Sequence, residues 1–118
     1  MKLTVLFYLL FSILIFISCE EDTDTSPPTV YITKPIQSSV VSEITKVKCF
    51  ASDNDSVKFV ELWIDSVATG IIDSSMPYEF FWNTVPYEDS TEHYISVQAS
   101  DMNDNISESG SISVMVDN

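Results

Sequence analysis

The feature that most constrains the fold is an alternation of apolar and polar residues that begins after Pro28 and continues to the end of the chain. Successive side chains of a β-strand point to opposite faces, so a period of two predicts strands with one buried face. Short clusters of Pro, Asn, Asp and Ser separate the alternating segments and predict turns. No segment of this part has a convincing helical period. The pattern therefore predicts an all-β domain.

About seven strands are predicted, in two antiparallel sheets. They span residues 29–32, 44–51, 57–64, 67–72, 78–82, 93–99 and 111–116. Alternation gives each longer strand an inward face, and the inward residues are Val47, Cys49, Ala51, Val60, Leu62, Ile64, Tyr78, Phe80, Trp82, Ile95, Val97, Ala99, Ile112, Val114 and Val116. The strand number and short spacing favour an Ig-like β-sandwich over a closed barrel.

An apolar run from Leu3 to Ile17 follows Met1-Lys2 and ends at Ser18-Cys19. The run is short for a membrane-spanning helix and has the length of a secretory signal core. It resembles a bacterial lipoprotein signal, in which a small residue precedes a cysteine that is acylated and becomes the new N-terminus. The resemblance implies a signal peptide over 1–18 and lipidation of Cys19. An ordinary signal peptide and an uncleaved anchor are the alternatives.

Residues 19–28 are acidic and then Pro-rich, with nothing apolar to bury, which predicts a disordered tether. Acidic residues directly after a lipidated cysteine also resemble an export signal to the outside of the outer membrane in Bacteroidetes-like bacteria. The alternative is a linker that is merely solvated. The expected location is the cell envelope, with the protein lipid-anchored to the outer membrane.

Charge and cysteine content restrict the partners. All 18 acidic residues and four of the five lysines follow Ser18, and there is no arginine, so that part has a net charge of −14. Nucleic acid is excluded as a partner, because phosphate binding needs clustered Lys or Arg. Contact with a membrane is expected through the acyl anchor alone. Acylation of Cys19 would leave Cys49 without a disulfide partner, as a small buried hydrophobe.

Five motifs resemble, in order and spacing, those of the bacterial Ig-like domain family. They are Pro27-Pro28-Thr29-Val30, Ala51-Ser52-Asp53-Asn54, Val60-Glu61-Leu62-Trp63-Ile64-Asp65, Met76-Pro77-Tyr78-Glu79-Phe80-Phe81-Trp82-Asn83, and Ala99-Ser100-Asp101 with Asn105. The resemblance covers about residues 27–117 and implies a sandwich over 29–118. The family occurs in surface adhesins and beside secreted polysaccharide-degrading enzymes. Such a scaffold hosts many functions, so the resemblance is specific for fold rather than activity.

Two Asx-rich segments follow predicted strands and are expected at the same end of the sandwich. Their candidate ligands for calcium are Asp53, Asp55, Asp101, Asn103 and Asn105. Carboxylate and amide oxygens are ligands that calcium prefers, but Asx side chains also satisfy the backbone of turns. Calcium is therefore a candidate cofactor, with turn stabilisation as the alternative.

Aromatic residues outside the predicted core are the candidates for ligand contact. Trp63 and Phe81 point outward by alternation, and Tyr87 lies in a predicted loop. Exposed aromatic rings stack on sugars or pack against neighbouring domains. His93 is the single histidine and has no companion nucleophile in the sequence pattern, so we predict a surface or hydrogen-bonded role for it.

The sequence therefore predicts a protein that is not an enzyme. The leading hypothesis is a cell-envelope lipoprotein whose Ig-like module serves adhesion, spacing, or contact with a protein or glycan ligand. One alternative is a carbohydrate-binding accessory module of a polysaccharide-degrading system. Another is the first domain of a longer surface protein, since the sequence stops where its last strand should end.

Overall fold

The computed structural model describes residues 25–118, and within them the secondary structure consists of strands and turns without a helix. The strands are β1 (Thr29–Lys34), β2 (Ser39–Val41), β3 (Ile44–Ser52), β4 (Val57–Ile64), β5 (Val67–Asp73), β6 (Tyr78–Asn83), β7 (Thr91–Asp101), β8 (Ile106–Glu108) and β9 (Ile112–Val116). The all-β prediction is confirmed, and each predicted segment contains or forms part of one of these strands.

The strands form two sheets that pack face to face. The small sheet has the order β1-β3-β6, and the large sheet has the order β2-β9-β7-β4-β5 with β8 paired to β7. Neighbouring strands run antiparallel, except that β2 and β9 run parallel. The prediction of a sandwich is confirmed, while that of purely antiparallel sheets is wrong at the β2–β9 pair.

The core lies between the sheets and consists of residues that alternation placed inward, together with Val41 of β2. Phe80, Leu62 and Ile95 are among its largest fully buried side chains. Tyr78, Phe80 and Trp82 all point inward from β6 and give the small sheet its heaviest apolar contribution. Ile112 is half-buried and packs against the edge of the cluster. The alternation holds because burying one face of each strand requires a side-chain period of two.

Two strands exceed the predicted number, and both are three residues long. β2 pairs with β9 through Ser39↔Val114 and Val41↔Val116, and β8 pairs with β7 through Ser107↔Ala99. Three residues are too few to establish a period. These strands are held by partners distant in the sequence, which a local pattern does not contain.

The predicted signal peptide over 1–18, the lipidation site Cys19 and most of the tether over 19–28 lie outside the described residues. At the start of the described part, Pro28 is already buried and β1 begins at Thr29. Residues 25–118 include no helix long and apolar enough to span a membrane.

Candidate interaction surfaces

The two Asx-rich loops lie together at one end of the sandwich. Met102 N donates to Ser56 O at 3.2 Å, and Asn103 Nδ2 lies 3.4 Å from Asp55 Oδ2. These contacts join the loop after β3 to the loop after β7. The sandwich topology predicted this juxtaposition, because both loops leave their strands at the same end.

Asp101 organises the second loop from inside the protein. Its Oδ1 accepts the backbone N–H groups of Asn103 at 2.8 Å and Asn105 at 2.9 Å, and its Oδ2 accepts Asn105 Nδ2 at 2.9 Å. The Asp101 side chain is fully buried. A buried carboxylate requires such donors, and here they also close the turn. These contacts give Asp101 a structural role in the loop.

Asp53 has one oxygen in the adjoining turn and one without a hydrogen-bond partner. Its Oδ2 accepts Asp55 N at 3.0 Å, whereas its Oδ1 is buried and unpaired. Within residues 25–118, no group of three or more His, Cys, Asp or Glu side chains is arranged to hold a metal ion. The carboxylates of Asp53, Asp55 and Asp101 are therefore not gathered around one point. Calcium binding by these residues with Asn103 and Asn105 stays a prediction.

His93 forms part of a packed cluster on β7. Its Nδ1 donates to Asp65 Oδ2 at 2.7 Å, and its Nε2 lies 2.8 Å from Thr91 Oγ1. The ring of Tyr87 packs edge-on at a centroid distance of 4.6 Å, and that of Trp82 lies 6.4 Å away. Both imidazole nitrogens therefore have partners within the fold, which confirms the prediction of a hydrogen-bonded histidine.

The three aromatic residues predicted for ligand contact lie in three different places. Phe81, on β6, is 59% exposed. Trp63, on β4 of the large sheet, is half-buried. Tyr87, in the loop between β6 and β7, is also half-buried and packs against the core, with its ring 5.5 Å from that of Trp82. The structure therefore does not join them into one platform, and Phe81 is the one with a largely open ring.

A different aromatic pair lies on the outer face of the small sheet. Tyr31 and Phe50 face each other across β1 and β3, with ring centroids 5.1 Å apart and an angle of 27° between the planes. Both side chains are exposed. Alternation placed Phe50 outward, but its contact with Tyr31 depends on the register between strands, which the sequence pattern does not specify.

Lysines share this face with the aromatic rings. Lys34 lies opposite Lys48 in the β1–β3 ladder, and directly opposed residues share a face. Lys46 Nζ and Lys48 Nζ lie 3.7 and 3.9 Å from the carboxylate of Glu79, and Lys46 Nζ is 5.6 Å from the ring centroid of Phe81. We call this surface the lysine-aromatic face; its residues are Tyr31, Lys34, Lys46, Lys48, Phe50 and Phe81.

A pocket of about 450 Å³ opens beside Phe50, at the end of the lysine-aromatic face. Met76 and Tyr78 contribute apolar wall, and Asp53 with Ser52 contributes polar groups. Pockets of this size hold small ligands in other proteins. The sequence pattern gave no signal for it, since its walls come from strand ends and two separate loops.

Cys49 carries a free thiol, and it points into the core from β3. Burial, with a smaller contribution from the negative charge of Asp73, raises the pKa of the Cys49 thiol from 9.0 to about 11. A thiol with such a high pKa is a poor nucleophile at neutral pH. This agrees with the prediction that Cys49 acts as a buried hydrophobe.

Comparison with known proteins gives one family match. Residues 28–97 match the family described as bacterial Ig domain. Among curated protein sequences, none matches this chain. The family match begins at the first buried residue before β1 and extends into β7.

Nine chains of solved structures match this one, and two of them show the shared fold. The fibronectin(III)-like modules of Clostridium thermocellum CbhA are 29% identical, with a TM-score of 0.66, and the match covers 77% of this chain and 47% of that chain. The endo-beta-1,4-mannanase from Thermotoga petrophila is 14% identical, with a TM-score of 0.60, covering 83% of this chain and 21% of that chain. This chain therefore spans less than half the length of either structure, and the second likeness shows the fold alone.

Proposed function

Because this chain belongs to the bacterial Ig domain family, we propose that it is a cell-envelope lipoprotein that presents a non-catalytic Ig-like module. In this proposal Cys19 carries the acyl groups, residues 19–28 form the tether, and the sandwich makes contact with a protein or glycan, provides adhesion, or acts as a spacer. The protein is held at the outer membrane.

Two observations support a non-catalytic module. The chain belongs to a family of Ig domains, and its single histidine, His93, is held by contacts within the fold. His93 has hydrogen-bond partners at both nitrogens and aromatic rings against it. A catalytic base needs reach to a substrate proton, and this imidazole is instead occupied by Asp65 and Thr91. The geometry supports a binding or spacing role.

The position of the folded part supports the anchoring part of the proposal. The family match begins at residue 28, and β1 begins at Thr29. The acidic stretch from Glu20 therefore separates Cys19 from the sandwich. A chain anchored at Cys19 would present the sandwich at the end of a short hydrophilic connection.

A pair of cysteine variants tests the anchor. Cys19→Ala removes the proposed acylation site, and we expect the protein to shift from the membrane fraction of its host to the soluble fraction. Cys49→Ala is the matched control, because it removes the other cysteine of the chain and should leave the protein in the membrane fraction. Equal fractionation of Cys19→Ala and the natural chain would contradict the proposal.

Display on the outer face of the outer membrane is tested on intact cells. External protease should remove the sandwich from whole cells if it faces outward, while a periplasmic marker protein remains intact. Protection of the protein until the cells are lysed would contradict outward display and leave periplasmic anchoring.

A carbohydrate-binding role is the second candidate, and the exposed ring of Phe81 favours it. Open aromatic rings offer flat apolar surfaces on which sugar rings stack. We expect binding to plant or cell-wall glycans on an array to weaken in Phe81→Ala and in Trp63→Ala. Unchanged binding in both variants would exclude these two rings from the glycan contact.

A further inference from the structure

We propose that the lysine-aromatic face binds a carboxylated polysaccharide, such as a polymer of uronic acid. This inference deepens the glycan contact of the proposed function by naming the ligand class and the surface. Charge is distributed asymmetrically over the protein.

The charge of the small sheet is opposite in sign to that of the whole chain. Its strands β1, β3 and β6 contain three lysines, Lys34, Lys46 and Lys48, and one acidic residue, Glu79. The chain as a whole has 18 acidic residues and five lysines. Three of the four lysines in residues 25–118 are thus concentrated on one sheet, where they offer a local positive surface.

Aromatic rings stand at both ends of this positive surface. The Tyr31–Phe50 stack lies at one end, and Phe81 lies opposite Lys46 at the other. Phe50 and Lys46 are four residues apart on β3, which corresponds to about 13 Å along the strand. A face of this length extends beyond a single sugar ring, with stacking surfaces at its ends and ammonium groups between them.

This arrangement fits a flat anionic polymer. The electron-rich face of an aromatic ring attracts the C–H groups of a sugar face, and lysine ammonium groups donate charge-assisted hydrogen bonds to carboxylates. Lys46 and Lys48 share the single carboxylate of Glu79, so two cations face one internal anion. At the Phe50 end, Asp53 in the neighbouring pocket repels anions, which directs ligand carboxylates toward the lysines.

A second copy of the chain or an acidic protein is a poorer fit. Two lysine-aromatic faces would repel each other in a symmetric dimer. Tight protein interfaces usually bury anchoring side chains in central pockets, whereas the pocket here lies at the end of the face.

Salt gives the binding a distinctive signature. At about 0.01 M salt the screening length is about 30 Å, so the acidic remainder of the protein repels a polyanion. At about 0.1 M it falls to about 10 Å, which screens the remote acids more than the direct lysine contacts. At about 1 M the direct contacts weaken too. Affinity for the polymer should therefore be highest at the intermediate salt concentration.

The experiment is affinity electrophoresis of the full chain in detergent, on native gels that contain polygalacturonate, a neutral mannan or polyglutamate. We expect retardation by polygalacturonate at about 0.1 M salt, and much less by the other two polymers. The double variant Lys46→Gln/Lys48→Gln should lose about tenfold in affinity. Tyr31→Ala should also weaken binding.

Matched controls lie on the large sheet. Lys58 has the same exposed fraction as Lys46, 48%, and also makes a long ion pair, and Tyr94 is 47% exposed against 51% for Tyr31. Lys58→Gln and Tyr94→Ala should bind like the natural chain. If the double lysine variant does not fold, Lys48→Gln and Phe81→Ala provide the same test singly.

Several results would overturn the inference. They are absence of retardation by polygalacturonate, equal retardation by mannan or polyglutamate, and equal loss in the control variants. Retardation by polyglutamate alone would indicate an acidic protein partner. None of these results bears on membrane anchoring, which the Cys19→Ala fractionation tests separately, so failure of this inference is distinguishable from failure of the proposed anchor.

Discussion

Asp65 is expected to stabilise the sandwich more than a surface turn residue normally does. It forms with Ser66 the two-residue turn between β4 and β5, and both residues have positive φ, 52° and 66°, as in a type I′ hairpin. Asp65 Oδ1 accepts the N–H of Tyr94 at 2.9 Å, and Oδ2 accepts His93 Nδ1 at 2.7 Å. The side chain therefore ties the hairpin to β7.

The magnitude follows from these contacts. The Asp65 side chain is 41% exposed, so each hydrogen bond is worth about 1 kcal/mol rather than the larger value of a buried bond. Alanine tolerates a left-handed backbone less well than aspartate, which adds up to about 1 kcal/mol. Asp65→Ala should thus lower the free energy of unfolding by about 2–3 kcal/mol. Asp65→Asn keeps an acceptor for Tyr94 and should lose about 1 kcal/mol.

The adjacent residue gives a change of opposite sign. Ser66 has a positive φ that glycine adopts without strain, so Ser66→Gly should raise stability by about 0.5 kcal/mol after the entropy of the unfolded chain is counted. Equilibrium urea unfolding, followed by tryptophan fluorescence, measures all three variants. A loss of about 0.5 kcal/mol or less in Asp65→Ala, or any destabilisation by Ser66→Gly, would show that this turn does not hold the hairpin to β7 as described.

Three further predictions concern the core and the loops. The pKa of the Cys49 thiol is raised to about 11, so the folded state keeps a proton that the unfolded chain loses above about pH 9. The stabilisation that comes from this retained proton is fully present below pH 9 and is lost by about pH 11. The free energy of unfolding should therefore fall by about 2–3 kcal/mol between these pH values, and it should fall by less in Cys49→Ala. Phe80→Ala should lower the free energy of unfolding by about 3–5 kcal/mol, whereas Phe81→Ala, on the opposite face of β6, should lower it by about 0.5 kcal/mol. Similar losses for the two variants in urea unfolding would contradict the faces assigned to these side chains. Asp101→Ala should lower the melting temperature in calcium-free buffer, because the loop loses its central hydrogen-bond acceptor. Calorimetric titration of the natural chain with calcium tests the metal prediction. Absence of both heat and thermal stabilisation by calcium would end it.

Alternation predicted the core because burial acts on each strand separately. Val47, Cys49 and Ala51 face inward on β3, and the same rule holds on β4 and β6. On β7, Ile95, Val97 and Ala99 face inward as well, but the neighbouring Ser96 and Ser100 are also buried. Such a pattern is local and can be read along the chain. It also placed Phe50 on the outer face, in the company of the lysines.

Features that depend on strand register could not be predicted in this way. The Tyr31–Phe50 stack and the opposition of Lys34 and Lys48 arise from the pairing of β1 with β3. An irregularity between Ile32 and Lys34 shifts that register by one residue. Alternation within one strand contains no information about which residue of another strand lies opposite, so the lysine-aromatic face emerges only from the folded protein.

Loop residues show a second limit of sequence reasoning. Tyr87 lies outside any strand, so alternation could not tell whether its ring would face solvent, and the fold packs it against Trp82 and His93. For the Asx-rich loops, the sandwich topology predicted their proximity. Whether a carboxylate there serves a turn or a cation depends on where each oxygen points, as Asp101 shows by accepting three N–H groups.

Lipid anchoring at Cys19 is decided by mass spectrometry of the mature protein isolated from host membranes. We expect a chain that begins at Cys19, with the added mass of a diacylglyceryl group on its thiol and an acyl group on the N-terminus. A mature chain that begins at another residue, or that carries an unmodified Cys19, would contradict it.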